Sequence, residues 1–446
     1  MQSEVKKHVY ENGEIQRVHV VRWDEWSQVD FLFPKHDDSA IGCFHHIYKN
    51  FLVPTCPAIF PQMIMFYLPE DMEVDFPLES KKYGKVKDKL MAASIALEEG
   101  VKLKDGKPIF KNEKVEALWK ELEKRDSVYV VRGLLPHTKV IPVGQFVGYL
   151  SKSEADAQMK VNANFFIMDP IDCATIYDQV GRPFGLCVKN GVVEQPPLFG
   201  REALLVKADG SVCIKELNVY DLTFEINGKT YIPGENASVY TRPERIKTPS
   251  VDGIYLVIIG NHIVAIKEKG PVEIPASGFV LRLSNTDAVP GDEVIYHGLE
   301  DITFGLQVGN SIVRGGEKTE RFISQFYNVR KLEPVPYPPS LYPMDFEKAR
   351  AARIALGADK DGKPVLFWAE GAGKLHYTPG EDSCGASLSE MAEIAVDLEL
   401  TDAINLDGGG SAQILMNNKR SLLISDRNTE DNSEAERLVP MGLIVK

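Results

Sequence analysis

The stretch Ile404–Gln413, INLDGGGSAQ, restricts the fold of this chain more than any other. An apolar run ends in an aspartate, three glycines follow, and a serine closes the loop. Glycine costs about 0.5–1 kcal/mol relative to alanine inside a regular element. Three in succession therefore require a tight turn, or something that comes very close to the backbone. DAINL before the loop reads as a strand. AQILMNNKRSLLIS after it reads as a hairpin turning at Asn417-Asn418. A Walker loop would need GxxxxGK[ST] opening a helix, and a dinucleotide fingerprint would need GxGxxG with a helix behind it. Neither fits a strand–loop–strand element. A backbone nest does fit: the N–H groups of Gly408, Gly409 and Gly410 turned toward one point, with the Ser411 hydroxyl as a further donor. Asp407, at the strand end, is the candidate carboxylate. A glycine-rich bulge capped by Asp407 satisfies the same spacing with no ligand at all.

The rest of the chain limits what such a loop can serve. With 446 residues, two or three folding units are expected. The formal net charge of −13 argues against a nucleic-acid partner, which needs a basic face. It leaves room for a small anionic substrate held by one or two arginines. No stretch approaches the ~20 apolar residues of a membrane-spanning helix. The opening MQSEVKKHVYENGE has no apolar signal-peptide core, so a cytoplasmic location is the default expectation, with export requiring a leader outside this sequence. The six cysteines include no CxxC pair, so free thiols are expected rather than a zinc site or a disulfide framework.

Residues 14–35 read as a strand pair, and 85–100 and 113–125 as helices. In the second helix Val115, Leu118, Trp119 and Leu122 form an i, i+3, i+4, i+7 stripe, which places Trp119 in a core. From about 128 the texture changes to short strands with turns at Asn190-Gly191, Asp209-Gly210 and Asn227-Gly228, all hairpin signals. Asp361-Gly362 is a further hairpin turn. Ser387 with Glu390 forms a capping box opening a helix over 387–400. The expected class is α+β, with mixed sheets, many hairpins and a few packed helices. Residues 1–127 are expected to form an N-terminal region with a helical lobe over about 70–127, and 128–446 the catalytic domain.

Three segments give a resemblance: AARIALGADKDGKPVLFWAEG, GASLSEMAEIAVDLELTDAINLDGGGSAQ and ERLVPMGLIV. Together they resemble the C-terminal half of the phosphodiester glycosidase family. VNANFF at 161–166 is similar to that family's asparagine-containing segment, and Arg353 stands on its arginine-bearing strand. Gly385–Ala392 is similar to its helix, and Glu436-Arg437 to its late E-R pair. The resemblance covers roughly 128–446, and nothing in 1–127 shares it. Glu370-Gly371-Ala372 stands where the family often has Asp-Gly-Arg, and ARIA where PRTA is usual, so the chain departs from the family at expected substrate contacts.

The resemblance implies a hydrolase that cleaves a sugar–phosphate diester at the anomeric carbon, with no cofactor required and a small-molecule or glycan phosphodiester as its partner. It implies Arg353 as the bidentate phosphate ligand. Gly408, Gly409, Gly410 and Ser411 would share the developing charge. Asp407, or as second choice Glu370, would activate water or stabilise an oxocarbenium-like centre. Asn162, Asn164 and Asn405 would orient hydroxyls or phosphate oxygens, and Arg437 would join the anion site. Each has a plainer reading: a surface ion pair for Arg353, turn caps for Asn162 and Asn405, a solvated strand end for Glu370. Two other functions use the same loop. One is a metal-assisted phosphodiesterase cutting the P–O bond, with Asp407, Asp402, Glu370 and Asp426 as available donors. The other is a glycan-binding protein without catalysis.

Overall fold

A computed structural model of the chain describes residues 1–32, 89–104, 107–124, 150–153, 155–167, 182–198, 201–242, 247–320, 349–372, 377–422, 436–437 and 439–446. It also describes short strand segments within 46–131 and the single residues Phe76, Tyr177, Arg245 and Phe322. The fold is mixed α+β and mostly sheet. Three helices are described: α1 (Lys89–Gly100), α2 (Glu113–Lys124) and α3 (Leu388–Asp397). In α2 the predicted stripe Val115, Leu118, Trp119 and Leu122 is buried. None of these helices is long and apolar enough to cross a membrane.

Two sheets position the DGGGS loop. Their strands in chain order are β1 (Gln2–Val9), β2 (Ile15–Arg22), β3 (Val29–Leu32), β4 (Met159–Asn162), β5 (Ser311–Arg314) and β6 (Glu317–Lys318). There follow β7 (Arg353–Asp359), β8 (Pro364–Ala369), β9 (Leu400–Asn405), β10 (Ile414–Met416), β11 (Lys419–Arg420) and β12 (Gly442–Val445). The first sheet has seven strands in the order β1-β2-β8-β7-β9-β5-β6, and the second has five in the order β3-β12-β4-β10-β11. Neighbouring strands are antiparallel, with Val20 opposite Phe367, Ile354 opposite Trp368 and Leu356 opposite Ile404.

At the centre of the first sheet, β8 is apolar on both faces, because both are covered. Along β8, Val365, Phe367 and Ala369 pack with Leu388, Met391, Ala392 and Ala395 of α3. Leu366 and Trp368 point the other way, into a core shared with Val161, Ile414 and Leu443 of the second sheet. Strand alternation puts successive side chains on opposite faces, so an all-buried strand reads as a continuous apolar run. A separate core built around Phe224, Phe279 and Tyr296 occupies the strands between 186 and 302. The predicted turns form there and elsewhere. Asn190 and Gly191, and Asn227 and Gly228, all have positive φ, as a two-residue hairpin turn of the primed type demands.

The N-terminal strands change the expected organisation. Residues 14–35 contain two strands, but they do not pair with each other: β2 pairs with β1 and β8, whereas β3 pairs with β12. Residues 1–32 therefore lie in the same two sheets as 353–369 and 442–445, and a boundary at 127 does not separate them. The chemistry of α3 reinforces this. Ser387 Oγ accepts from Glu390 N at 3.2 Å, and Glu390 Oε2 accepts from Ser387 N at 2.8 Å, the expected capping box. Glu390 also accepts from Arg350 Nη2 at 2.6 Å and from the Tyr10 hydroxyl at 3.2 Å, tying the β1–β2 turn to the helix.

Val18, Val20, Val21 and Trp23 are all buried. At about 1.5–3 kcal/mol per buried side chain, they contribute on the order of 6–12 kcal/mol, comparable with the whole stability of a domain, about 5–15 kcal/mol. Removing residues 1–23 should abolish the cooperative thermal transition seen by near-ultraviolet circular dichroism. Removing only 1–9, whose strand is exposed throughout, should leave a cooperative transition. Equal behaviour of the two truncations would contradict the assignment of β2 to the core.

Candidate functional site

The loop begins where β9 runs out of partners. Leu406 N donates to Ile354 O at 2.8 Å and extends the first sheet by one residue. The next amide, Asp407 N, donates instead to Ala163 O at 2.9 Å, beyond the end of β4. The chain thus steps from one sheet to the other at Asp407, and the glycines make that step possible. Gly409 N donates to Ala352 O at 2.7 Å. A Cβ on Gly408 would lie 2.7 Å from the same carbonyl, and Gly409 has φ +60°. One glycine serves close backbone approach and the next serves a left-handed turn. Ser411 N to Gly408 O at 3.1 Å and Ala412 N to Gly409 O at 3.2 Å close a single 3₁₀ turn. The expected nest is correspondingly smaller. The amides of Gly409 and Ser411 are directed at protein carbonyls, and those of Gly408 and Gly410 are not among these donors.

Asn162 grips both ends of the loop. Its Nδ2 donates to Asp407 O at 2.8 Å and its Oδ1 accepts from Gln413 N at 2.7 Å. Gln413 Nε2 donates to Arg437 O at 2.7 Å, and Arg437 Nη1 donates to Ser411 Oγ at 3.1 Å. These bonds link three distant segments into one ring around Asp407 and Ser411. Asp407, Ser411 and Asn162 are buried within it. The adjacent Glu436 turns away and accepts from Ser151 N at 2.9 Å.

The other expected residues take different places. Arg353 is buried rather than a surface ion-pairing residue. It donates to Ala386 O at 3.2 Å and Ala349 O at 3.0 Å, and its Cδ is 3.5 Å from the Cβ position of Gly408. It therefore backs the loop from the α3 side of the first sheet. Asn405 is fully buried, its backbone paired with Asn310 O and Gly309 N, each at 2.9 Å. Asn164 donates to Phe184 O at 2.7 Å. Glu370 is engaged elsewhere: Oε1 meets His19 Nε2 at 2.6 Å and Oε2 accepts from Arg17 Nη1 at 3.3 Å. His19 stacks on Trp368 with ring centroids 4.9 Å apart, so this cluster sits on the sheet face opposite Arg353. Asp402 lies toward the other end of β9, and Asp426 lies outside the described residues. Among the described residues no group of three or more His, Cys, Asp or Glu side chains could hold a metal ion.

Sequence reasoning assigned no role to Gln413 or His19. Gln413 was within reach, because it closes the same ten-residue stretch that holds Asp407 and Ser411. His19 was not, because its partner Glu370 is 351 positions away.

Residues 257–446 match the family model described as phosphodiester glycosidase. This bears out the family resemblance over the part of the chain that holds Arg353, Asp407–Ser411 and Arg437; Asn162 and Asn164 precede it. N-acetylglucosamine-1-phosphodiester alpha-N-acetylglucosaminidase of Homo sapiens is 38% identical over 87 residues, which is 20% of this chain and 15% of that protein. The Mus musculus protein of the same name is 37% identical over 87 residues with the same coverage. The chain thus spans about 15% of the length of the curated relatives it matches. Two solved structures superpose loosely. A hypothetical protein from Synechocystis has TM-score 0.42 and 14% identity, covering 99% of this chain and 61% of that one. The zebrafish catalytic domain of the same-named glucosaminidase, auto-inhibited by its pro-peptide, has TM-score 0.31 and 13% identity, covering 100% and 88%.

Two outcomes follow from this geometry. Gly408→Ala should displace the loop from Ala352 and cost more thermal stability than Gly409→Ala, which pays only the left-handed backbone strain of about 1–2 kcal/mol; paired melting curves compare them. The second concerns pH. Burial pushes the Glu370 carboxyl upward, but the His19 and Arg17 contacts outweigh it and the net shift is downward. For Glu390 burial likewise opposes, and the Arg350 and Ser387 hydrogen bonds win. A lowered folded pKa contributes stability that is complete above the unfolded value of about 4.3 and is lost as pH falls through the folded value. Tm should be flat from pH 7 to about 5 and drop below about 4, and the drop should shrink in the Glu370→Gln, Glu390→Gln double variant.

Proposed function

We propose that this chain is a hydrolase that cleaves a sugar-1-phosphodiester at its anomeric C–O bond, releasing the sugar and a phosphate monoester. The observation that carries this reading is the ring joining Asn162, Asp407, Ser411, Gln413 and Arg437. It brings Asp407, held by its main-chain carbonyl, together with the Ser411 hydroxyl and the Arg437 guanidinium on one loop, most of it inside the segment that matches the phosphodiester glycosidase family.

The diester carries one negative charge. Arg437 and Ser411, with the Gly408 and Gly410 amides, supply donors for its non-bridging oxygens, and Arg353 adds positive charge behind the loop. Donors already held in place lose no reorganisation energy when charge builds on the departing phosphate. A phosphate monoester is a good leaving group, so protonation of the bridging oxygen is less needed than with a sugar alcohol. As the C1–O bond breaks, its electron pair goes to the phosphate oxygen. A water oxygen bonds to C1 and its proton passes to Asp407, whose carboxylate also faces the positive anomeric centre. Glu370 is given no step, because His19 and Arg17 engage both of its oxygens. The name of the human and mouse relatives makes an N-acetylglucosamine-1-phosphodiester the first substrate to try.

Hydrolysis in heavy-oxygen water decides the bond. Label in the sugar is expected, with kcat reduced about 10²–10⁴-fold in Asp407→Asn. Label in the phosphate would replace this reading with P–O cleavage. Arg437→Ala should lower kcat/KM about 10²-fold or more; an unchanged value would remove Arg437 from the anion site.

A further inference from the structure

Two side chains beside the loop end in hydrogen-bond acceptors that the protein leaves unmatched. Gln413 and Asn164 are each only 2% exposed. Gln413 Nε2 donates to Arg437 O, and Asn164 Nδ2 donates to Phe184 O, both at 2.7 Å. Because each nitrogen faces a carbonyl, rotating either amide would set oxygen against oxygen, so both orientations are determined. The remaining atoms, Gln413 Oε1 and Asn164 Oδ1, are buried and have no hydrogen-bond partner among the described residues. Buried polar atoms are almost always paired, and an orphaned one asks for a cause.

Their placement supplies one. Val161 and Ala163 lie in the core between the sheets and Phe165 packs against it, which leaves Asn162, at the end of β4, and Asn164 on the other side of the segment. Asn162 binds the Gln413 backbone and the Asp407 carbonyl. The two orphaned acceptors therefore flank the residue that holds the candidate carboxylate in position. Arg437 and the Ser411 hydroxyl are donors suited to an anion, and Arg353, bound to Ala386 O and Ala349 O, adds positive charge behind the loop. A ligand that matches the whole set must carry an anion and, close to it, hydrogen-bond donors of its own.

We infer that Gln413 Oε1 and Asn164 Oδ1 accept hydrogen bonds from hydroxyl or amide N–H groups of the sugar half of the substrate, which makes both specificity-determining residues. The inference rests on the hydrolase reading above and extends it to the sugar. A ligand with the anion but no neighbouring donor, such as inorganic phosphate, leaves both acceptors orphaned. A sugar phosphate with correctly placed donors satisfies them, and removal of one hydroxyl restores the orphan.

The test is calorimetric binding of N-acetylglucosamine 1-phosphate, its monodeoxy analogues and inorganic phosphate to the full chain, with diester hydrolysis measured in parallel. In the wild type at least one deoxy position should weaken binding about tenfold or more. That penalty should fall to within about twofold in Gln413→Met or Asn164→Leu, with folding checked by thermal melting. A flat deoxy series in the wild type overturns the inference without recourse to any variant. So does a penalty that persists in both folded variants. Hydrolysis with a flat series would leave the hydrolase reading standing alone. Variant-dependent penalties without hydrolysis would keep the two acceptors and remove the hydrolase reading. Neither binding nor hydrolysis would overturn both.

Discussion

The side chain of Asn162 joins the two sheets where their strands end. One amide group holds the carbonyl of Asp407 and the amide of Gln413, six residues apart along the loop. Everything proposed for the site is measured from that grip: Asp407 at one end, Gln413 and through it Arg437 at the other, and Ser411 between them. A buried amide engaged at both its nitrogen and its oxygen is a rigid fixture, because releasing either bond would leave a buried polar group unpaired. The turn-capping role expected of Asn162 is in this sense real, but the turn it caps is the candidate site itself.

The glycines follow from the same constraint. The loop must leave the first sheet, pass over the start of β7 and enter the second sheet within a few residues. It does so by lying against Ala352, where Gly408 has no room for a side chain and Gly409 takes a left-handed conformation. Tightness has a chemical consequence. Amides spent on holding the loop down cannot bind a ligand, so the proposed anion site rests on the Ser411 hydroxyl and Arg437 more than on a full nest of N–H groups.

Much of the local structure was legible in the chain. The α2 stripe, the capping box at Ser387 and the Asn-Gly turns all form where nearest-neighbour chemistry puts them. These are short-range effects, set by side-chain periodicity and by which residues tolerate positive φ. The strand before DGGGS was legible for the same reason. The loop's surroundings were not. Nothing near Arg353 reveals that its guanidinium meets Ala386 and Ala349 behind the loop. Nothing near Glu370 reveals His19, which comes from outside the segment that resembles the family.

The amino-acid sequence by itself determined that an aspartate and three glycines end a buried strand, and that Ser411, Arg353 and Arg437 belong to family-like segments. Those facts live in local spacing and composition. Only the tertiary structure decided which of these residues meet. Sheet order carries β2 and β3 from the N-terminus into two different sheets beside C-terminal strands. Strand alternation then sends Arg353 and Glu370 to opposite faces of the first sheet. Pairing between strands hundreds of residues apart is fixed by burying two faces at once, and no short stretch of sequence records which partner it will find.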